Sequence, residues 1–101
     1  MNYTITQHDT TKRIVMSGQF TFSDNVAFKQ ILAFLDDAQL KALVIDFGQV
    51  DFIDSAGLGM LLLLRDECQA RNISISIASA RGQVEKIFLI SKFDQLFSMV
   101  S

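Results

Sequence analysis

The chain has 101 residues, the length of one compact domain, and we expect a single domain over residues 1–101. Half of the residues are hydrophobic and 20% are charged, a balance typical of folded domains and unlike that of disordered chains. The net charge of −2, with no cluster of Lys or Arg, argues against nucleic acid and anionic membranes as partners.

Targeting and metal-binding signals are weak in this sequence. The N-terminal residues lack the basic and apolar regions of a signal peptide, and the longest apolar run, Met60 to Leu64, is too short to span a bilayer. We therefore expect a cytoplasmic protein without direct membrane insertion. One cysteine, Cys68, and one histidine, His8, are too few for a thiolate or imidazole metal site, so we predict an apolar Cys68, a surface His8 and no cofactor.

The N-terminal half predicts a hairpin, a helix and a central strand. Residues 3–6 alternate and residues 13–17 are rich in strand formers, which predicts two strands joined by a turn at residues 9–12. A helix with Ser23 or Asp24 as its N-cap is predicted by apolar residues at helical spacing, namely Phe28, Ile31, Leu32 and Leu35. The apolar run Leu43–Phe47 predicts a central strand that is covered on both faces.

The C-terminal half continues the alternation of helices and strands. A second helix is predicted from Asp54 towards Arg71, and residues 73–77 alternate as a strand does. A third helix is predicted around residues 84–88, and residues 93–100 are expected to form a helical turn or a terminal helix. The order predicts an α/β fold with a mixed, mostly parallel sheet of about four to five strands and about four helices.

The segment from Val50 to Gly59 is the strongest candidate for a functional site, because it follows the central strand at its carboxyl end. Asp54 is suited to cap the second helix, and Ser55 would then present its hydroxyl in the first turn. A plain helix cap is the alternative. Two glycines inside a helix, Gly57 and Gly59, each cost about 1 kcal/mol relative to Ala, which indicates that another backbone approaches this helix end.

Other chemistries fit this segment less well. The phosphate-loop and dinucleotide glycine patterns are absent, although nucleotide binding stays open. Ser55 lacks the Gly-x-Ser-x-Gly pattern of a nucleophilic serine, and His8 is the only imidazole base, so we do not expect an enzyme. Three aspartates, at positions 46, 51 and 54, lack convergent metal-ligand spacing.

The run Phe52-Ile53-Asp54-Ser55-Ala56-Gly57-Leu58-Gly59 resembles the phosphorylation motif of bacterial anti-sigma factor antagonists, which are STAS-domain proteins. The resemblance extends from a turn at residues 17–20, through residues 43–47 and the motif, to residues 84–88. It implies a STAS-like fold. It also implies a protein whose unphosphorylated form binds an anti-sigma factor that is often a serine kinase, and so frees a sigma factor for transcription.

Individual roles follow from the same resemblance. It implies that Ser55 is the phosphorylation site and that a serine phosphatase resets the protein. The implied partner surface has two parts, the motif residues Asp54, Ala56, Gly57, Leu58 and Gly59 and the neighbouring loop residues Phe20, Thr21, Phe22 and Ser23.

The sequence departs from the commonest family pattern beside that loop. Gln19 stands where Glu is frequent, and Thr21-Phe22 replaces a segment that often contains Asp. Phe20 and Phe22 are thus candidates for an apolar anchor or for self-association as a homodimer, unless at least one of them packs in the core. A second class of function is a STAS subunit that docks in a membrane transport or stressosome-like complex, and a third is nucleotide binding or hydrolysis.

Overall fold

A five-stranded mixed sheet forms the centre of the computed structural model, which describes residues 1–100. The strands lie in chain order across the sheet, and they are β1 (Asn2–His8), β2 (Thr11–Phe20), β3 (Ala42–Ile53), β4 (Ser74–Ala78) and β5 (Ser98–Val100). β1 and β2 pair antiparallel, and each later pair is parallel. The predicted α/β fold with a mixed, mostly parallel sheet is confirmed, and β3 is the central strand.

Three α-helices connect the parallel strands, and they are α1 (Asn25–Ala33), α2 (Ser55–Ala70) and α3 (Gly82–Ile90). Two 3-10 segments, Phe22–Asp24 and Phe93–Gln95, complete the described structure. About four helices were predicted; the helical turn expected in the C-terminal tail is present as a 3-10 turn, and the tail then joins the sheet as β5, which was not predicted. None of the helices within residues 1–100 combines the length and the apolar character that a membrane crossing requires.

The central strand β3 is covered more fully on one face than on the other. Leu43, Ile45 and Phe47 are buried, whereas the residues between them are partly exposed. The expectation of a strand covered on both faces was wrong, because Val44 and Asp46 point to the more open face. An apolar run cannot reveal this difference when the open face also carries an aliphatic residue.

The strands β2 and β3 extend beyond their predicted ends. Residues 17–20, predicted as a turn, continue β2 through two register shifts while staying paired with β3. Gly18 has φ +88 there, in the left-handed backbone region that favours glycine. β4 pairs with β3 only as far as Asp46, so the last residues of β3 project past β4 and carry the start of α2.

Aromatic side chains connect the helices to the sheet inside the core. Successive ring centroids lie 5.3–6.4 Å apart along a chain that comprises Phe28, Phe20, Phe47, Phe88, Phe93 and Phe97. This spacing is favourable for aromatic pairs. Leu35 also belongs to the core, although α1 ends at Ala33 rather than reaching Leu35 as predicted.

Candidate functional site

Ser55 is exposed and is the first residue of α2. Asp54, directly before it, has extended backbone with φ −104 and ψ −179, and its Oδ1 accepts a hydrogen bond of 2.8 Å from the Gly57 N–H. This is the side-chain arrangement of a helix N-cap. The predicted cap at Asp54 is confirmed, and the Ser55 side chain is left facing solvent.

Asp54 also contacts the end of β2. Its backbone N–H donates to the Phe20 carbonyl oxygen at 3.3 Å, and its Oδ2 accepts from the Phe22 N–H at 3.2 Å. One residue therefore joins the helix that carries Ser55 to the connection that leads from β2 into α1.

That connection, the Thr21–Asp24 segment, is held together by Asp24. The Asp24 Oδ2 accepts from the Thr21 N–H at 2.8 Å, and its Oδ1 lies 2.6 Å from the Met1 amino group. Asp24 is buried, whereas the Phe22 side chain is 68% exposed. The segment thus presents a large apolar side chain to solvent from a turn that has its own internal hydrogen bonds.

The two glycines of α2 have different surroundings. A Cβ on Gly57 would lie 2.7 Å from the Phe20 carbonyl oxygen and 2.7 Å from Ile53 Cγ1, closer than real Cβ contacts allow. A Cβ on Gly59 would meet nothing within 4 Å. A backbone does approach Gly57, as the glycine pattern indicated, but that backbone belongs to β2 of the same chain. The packing of this chain does not explain Gly59.

Gln83, in the first turn of α3, forms hydrogen bonds with the backbone of Ile53, two residues before Ser55. Its Oε1 accepts from the Ile53 N–H at 3.1 Å, and its Nε2 donates to the Ile53 carbonyl oxygen at 3.1 Å. The amide thereby acts as a neighbouring strand would, where β3 has run past β4. The sequence analysis missed Gln83, since a single Gln in a helical turn carries no motif.

The predicted partner-surface residues do not all reach the surface. Phe22, Ser23 and Gly59 are exposed, and four further residues are partly exposed, namely Thr21, Asp54, Ala56 and Leu58. The expectation for Phe20 was wrong as to its side chain, which has no exposed area because it packs against Phe28 and Phe47. Gly57 is buried under the same strand end. Of the predicted partner surface, Phe22, Ser23 and the outer residues of α2 are therefore accessible, and Phe20 and Gly57 are not.

The other singled-out residues lie away from Ser55 or have structural contacts. Cys68 is buried in the core, and burial raises the pKa of its thiol to about 11. His8 is exposed beside the β1–β2 turn. Within residues 1–100, no three His, Cys, Asp or Glu side chains are grouped to hold a metal ion.

Asp46 forms an ion pair on the more open face of the sheet. Its Oδ2 lies 2.6 Å from Arg13 Nη2, and its Oδ1 accepts from the Gly48 N–H at 2.8 Å. Burial by itself raises the pKa of Asp46, but the hydrogen bonds from Gly48 and Arg13 and the Arg13 charge outweigh it and lower that pKa below its usual value. Asp46 thus joins β3 to β2 through its ion pair with Arg13.

Comparison with known proteins gives this site a family context. A family model described as the STAS domain matches residues 2–101. A STAS-domain containing protein of Pseudomonas aeruginosa is 44% identical over 59 residues, and this match covers 58% of each of the two proteins. The matched part is thus just over half the length of the curated relative.

Solved structures share the fold at low sequence identity. An anti-sigma factor antagonist from Mycobacterium paratuberculosis has a TM-score of 0.85 at 24% identity, covering 98% of this chain and 84% of that one. The anti-sigma factor antagonist SpoIIAA in its unphosphorylated form has a TM-score of 0.74 at 16% identity, covering 99% and 87%. The STAS domain of a SulP transporter from Vibrio cholerae has a TM-score of 0.68 at 18% identity, covering 86% and 70%. The fold is therefore common to anti-sigma factor antagonists and to transporter domains.

Proposed function

This chain belongs to the STAS-domain family, and we propose that it is an anti-sigma factor antagonist that is switched by phosphorylation of Ser55. In its unphosphorylated form it would bind an anti-sigma factor that is also a serine kinase, and so free a sigma factor in the cytoplasm. One observation carries the proposal: Ser55 is exposed at the start of α2, while the neighbouring Asp54 carboxylate already serves as the cap and the apolar Phe22 lies exposed nearby.

The exposed hydroxyl is suited to be a substrate for a kinase. Transfer from ATP would form a bond between Ser55 Oγ and the terminal phosphorus, break the bond from that phosphorus to ADP, and release the hydroxyl proton. A serine phosphatase would reverse the modification by hydrolysis with water. This chain supplies the acceptor and the binding surface, and the proposed role is binding rather than catalysis.

The fold can accept a phosphate at Ser55 without losing α2. A phosphoserine has a charge of about −1.5 to −2, and the first turn of a helix stabilises negative charge through its free N–H groups and its dipole. Structural change in the domain as a whole is not needed for the switch. The similarity of SpoIIAA structures in both unphosphorylated and phosphorylated forms to this chain, with TM-scores of 0.74 and 0.71, is consistent with this view.

Partner binding is more sensitive to the phosphate than the fold is. The partner would cover Ser55 together with Phe22, Leu58 and Gly59, and a dianion beside Asp54 would have to leave water unless the partner provides an opposite charge. A penalty of about 3 kcal/mol weakens affinity about a hundredfold. The unmodified protein would therefore bind the partner at concentrations at which the modified protein is mostly free.

The experiment is affinity capture from native cell extract with four proteins: wild type, Ser55→Ala, Ser55→Asp and a matched control, Ser98→Asp. Ser98 is an exposed serine on the edge strand β5, so its replacement adds the same charge elsewhere. We expect Ser55→Ala and the control to retain the kinase partner, Ser55→Asp to lose it, and the wild type to carry phosphate on Ser55 by mass spectrometry. Equal capture by all four, or no phosphate on Ser55, would contradict the proposal.

A second candidate function is docking within a membrane transport or stressosome-like complex. It is favoured by the similarity to the Vibrio cholerae transporter STAS domain and by two exposed leucines on α2, Leu62 and Leu63. In that case the charge at position 55 would not control binding. Capture of a permease from solubilised membranes, equally by Ser55→Ala and Ser55→Asp, would support this function over the switch.

A further inference from the structure

The Asp54 carboxylate holds two distant parts of the chain at once. Its Oδ1 accepts from the Gly57 N–H at 2.8 Å within α2, and its Oδ2 accepts from the Phe22 N–H at 3.2 Å, across 32 residues of sequence. Ser55 is the next residue in the chain. The same carboxylate thus serves both the helix cap and the Thr21–Asp24 segment.

The Thr21–Asp24 segment does not need Asp54 for its own shape. The Asp24 N–H donates to the Thr21 carbonyl oxygen at 2.9 Å, and the Thr21 N–H donates to Asp24 Oδ2 at 2.8 Å. What Asp54 provides is a side-chain attachment between this turn and the start of α2. The bond from the Phe22 N–H to the Asp54 carboxylate therefore fixes Phe22 to the residue before Ser55, in addition to the backbone bond from the Asp54 N–H to the Phe20 carbonyl oxygen.

We propose that Asp54 is a positioning residue for the partner surface, and that phosphorylation of Ser55 detaches Phe22 from it. The proposal rests on the proposed function, because it describes what the phosphate does at the same site. A phosphate on Ser55 repels the adjacent carboxylate, and its oxygens compete for the first N–H groups of α2, including that of Gly57. The carboxylate then turns away, and the Phe22 N–H loses its acceptor.

This mechanism lowers partner affinity in a second way, besides the cost of covering the phosphate charge. In the unmodified protein, Phe22 is held in place before the partner arrives, so little ordering is required on binding. After modification, the same side chain has to be ordered again at the expense of affinity. The phosphate thereby weakens binding even at contacts that it does not itself touch.

The test needs no partner. It uses amide exchange and backbone relaxation by NMR on the full 15N-labelled chain, with either serine or phosphoserine installed at position 55 during translation. We expect exchange of the Phe22 amide to rise about tenfold with phosphoserine, because one hydrogen bond to a charged acceptor is lost. The amide of Ile45, in the middle of the buried sheet, should keep its rate.

Two variants test the carboxylate itself. Asp54→Asn keeps one acceptor oxygen for the Gly57 N–H but places an amide NH₂ opposite the Phe22 N–H, so it should speed Phe22 exchange without any phosphate. Asp9→Asn removes the same charge from the exposed turn at the opposite end of β2 and should leave Phe22 unchanged.

An unchanged exchange rate of the Phe22 amide in the phosphoserine protein overturns the positioning role. If Asp54→Asn does not fold, the comparison of serine with phosphoserine is sufficient to decide. If phosphoserine leaves Phe22 in place but abolishes partner capture, the switch stands without a positioning role for Asp54. If Phe22 is detached but capture is unchanged, the detachment of Phe22 by the phosphate stands, whereas its role in partner binding and the proposed function both fail.

Discussion

Two pairs of parallel strands end at the same edge of this sheet, and their ends are built differently. Where β2 and β3 end, side chains hold the backbone: Asp54 contacts Phe22 and α2, and Gln83 pairs with both polar groups of Ile53. Where β4 and β5 end, the chain leaves an open groove of about 490 Å³, lined by Ser79, Ala80, Glu85, Met99 and Val100. Ser55 thus follows strand ends whose backbone is held by side chains, whereas Ser79 follows a strand end that borders an open groove.

The largest expected loss of stability at the end of β2 and β3 comes from removing the buried ring of Phe20. Phe20→Ala should lower the free energy of unfolding by about 3–5 kcal/mol, because Phe20 is fully buried between two other rings. Phe22→Ala, two residues on, should change it by less than about 0.5 kcal/mol, since that side chain is mostly exposed. Urea unfolding measures both, and similar losses for the two variants would refute the assignment of core and surface.

The two glycines of α2 give the next largest difference. Gly57→Ala should destabilise the protein by about 1–3 kcal/mol, because its Cβ would collide with the Phe20 carbonyl oxygen. Gly59→Ala should stabilise it by about 0.5–1 kcal/mol, since Ala is the better helix former and there is open space for its Cβ. Thermal unfolding of both proteins should therefore shift in opposite directions, and shifts of the same sign would count against the close approach at Gly57.

Replacing Gln83 tests whether the end of β3 depends on the two hydrogen bonds between the Gln83 side chain and Ile53. Gln83→Leu should cost about 1–3 kcal/mol, because it leaves the N–H and carbonyl of Ile53 without their partners. The same replacement at Gln69, which is exposed on α2, should have little effect. Urea unfolding compares the two, and faster amide exchange at Ile53 in Gln83→Leu alone would locate the loss. Equal stabilities of the two variants would show that the Gln83 hydrogen bonds do not stabilise the protein.

The smallest expected effect on stability concerns Asp46, which forms an ion pair from β3 to Arg13 on β2. Its pKa is lower in the folded protein than in the unfolded chain, so its contribution is present above the unfolded pKa and is lost as pH falls through the folded pKa. Asp46→Asn should cost about 1 kcal/mol or less at neutral pH, because Arg13 is partly exposed. The difference from wild type should shrink as pH falls through the unfolded pKa and then the lower folded pKa of Asp46, as measured by urea unfolding, and a constant difference would contradict this account.

The element types were largely predictable because they depend on spacing that is visible along the chain. The alternation at residues 73–77 and the helical spacing at residues 28–32 led to elements that the structure contains. The cap at Asp54 was predictable for the same reason, since it depends on neighbouring residues only. The last strand was not predictable, although the helical turn before it was, because three residues form β5 only when the edge of β4 is available to pair with them.

The site was predictable in part. Ser55 was correctly expected to lie exposed in the first turn of a helix, whereas Phe20 and Phe22 could not be told apart. Two aromatic residues two positions apart point the same way on a regular strand. Here the strand ends at Phe20 and a 3-10 turn begins at Phe22, so one ring enters the core and the other faces solvent.

By itself, the sequence determined the α/β class, the order of the elements as far as α3, and the cap that places a serine at the start of α2. Apolar periodicity and capping act within a few residues, which is why they can be recognised without a fold. Only the tertiary structure decided that Gly57 lies against the Phe20 backbone, that Gln83 pairs with Ile53, and that Asp54 holds Phe22. Each of these contacts joins residues about 30 or more positions apart, and such pairs meet only when the strands and helices have packed.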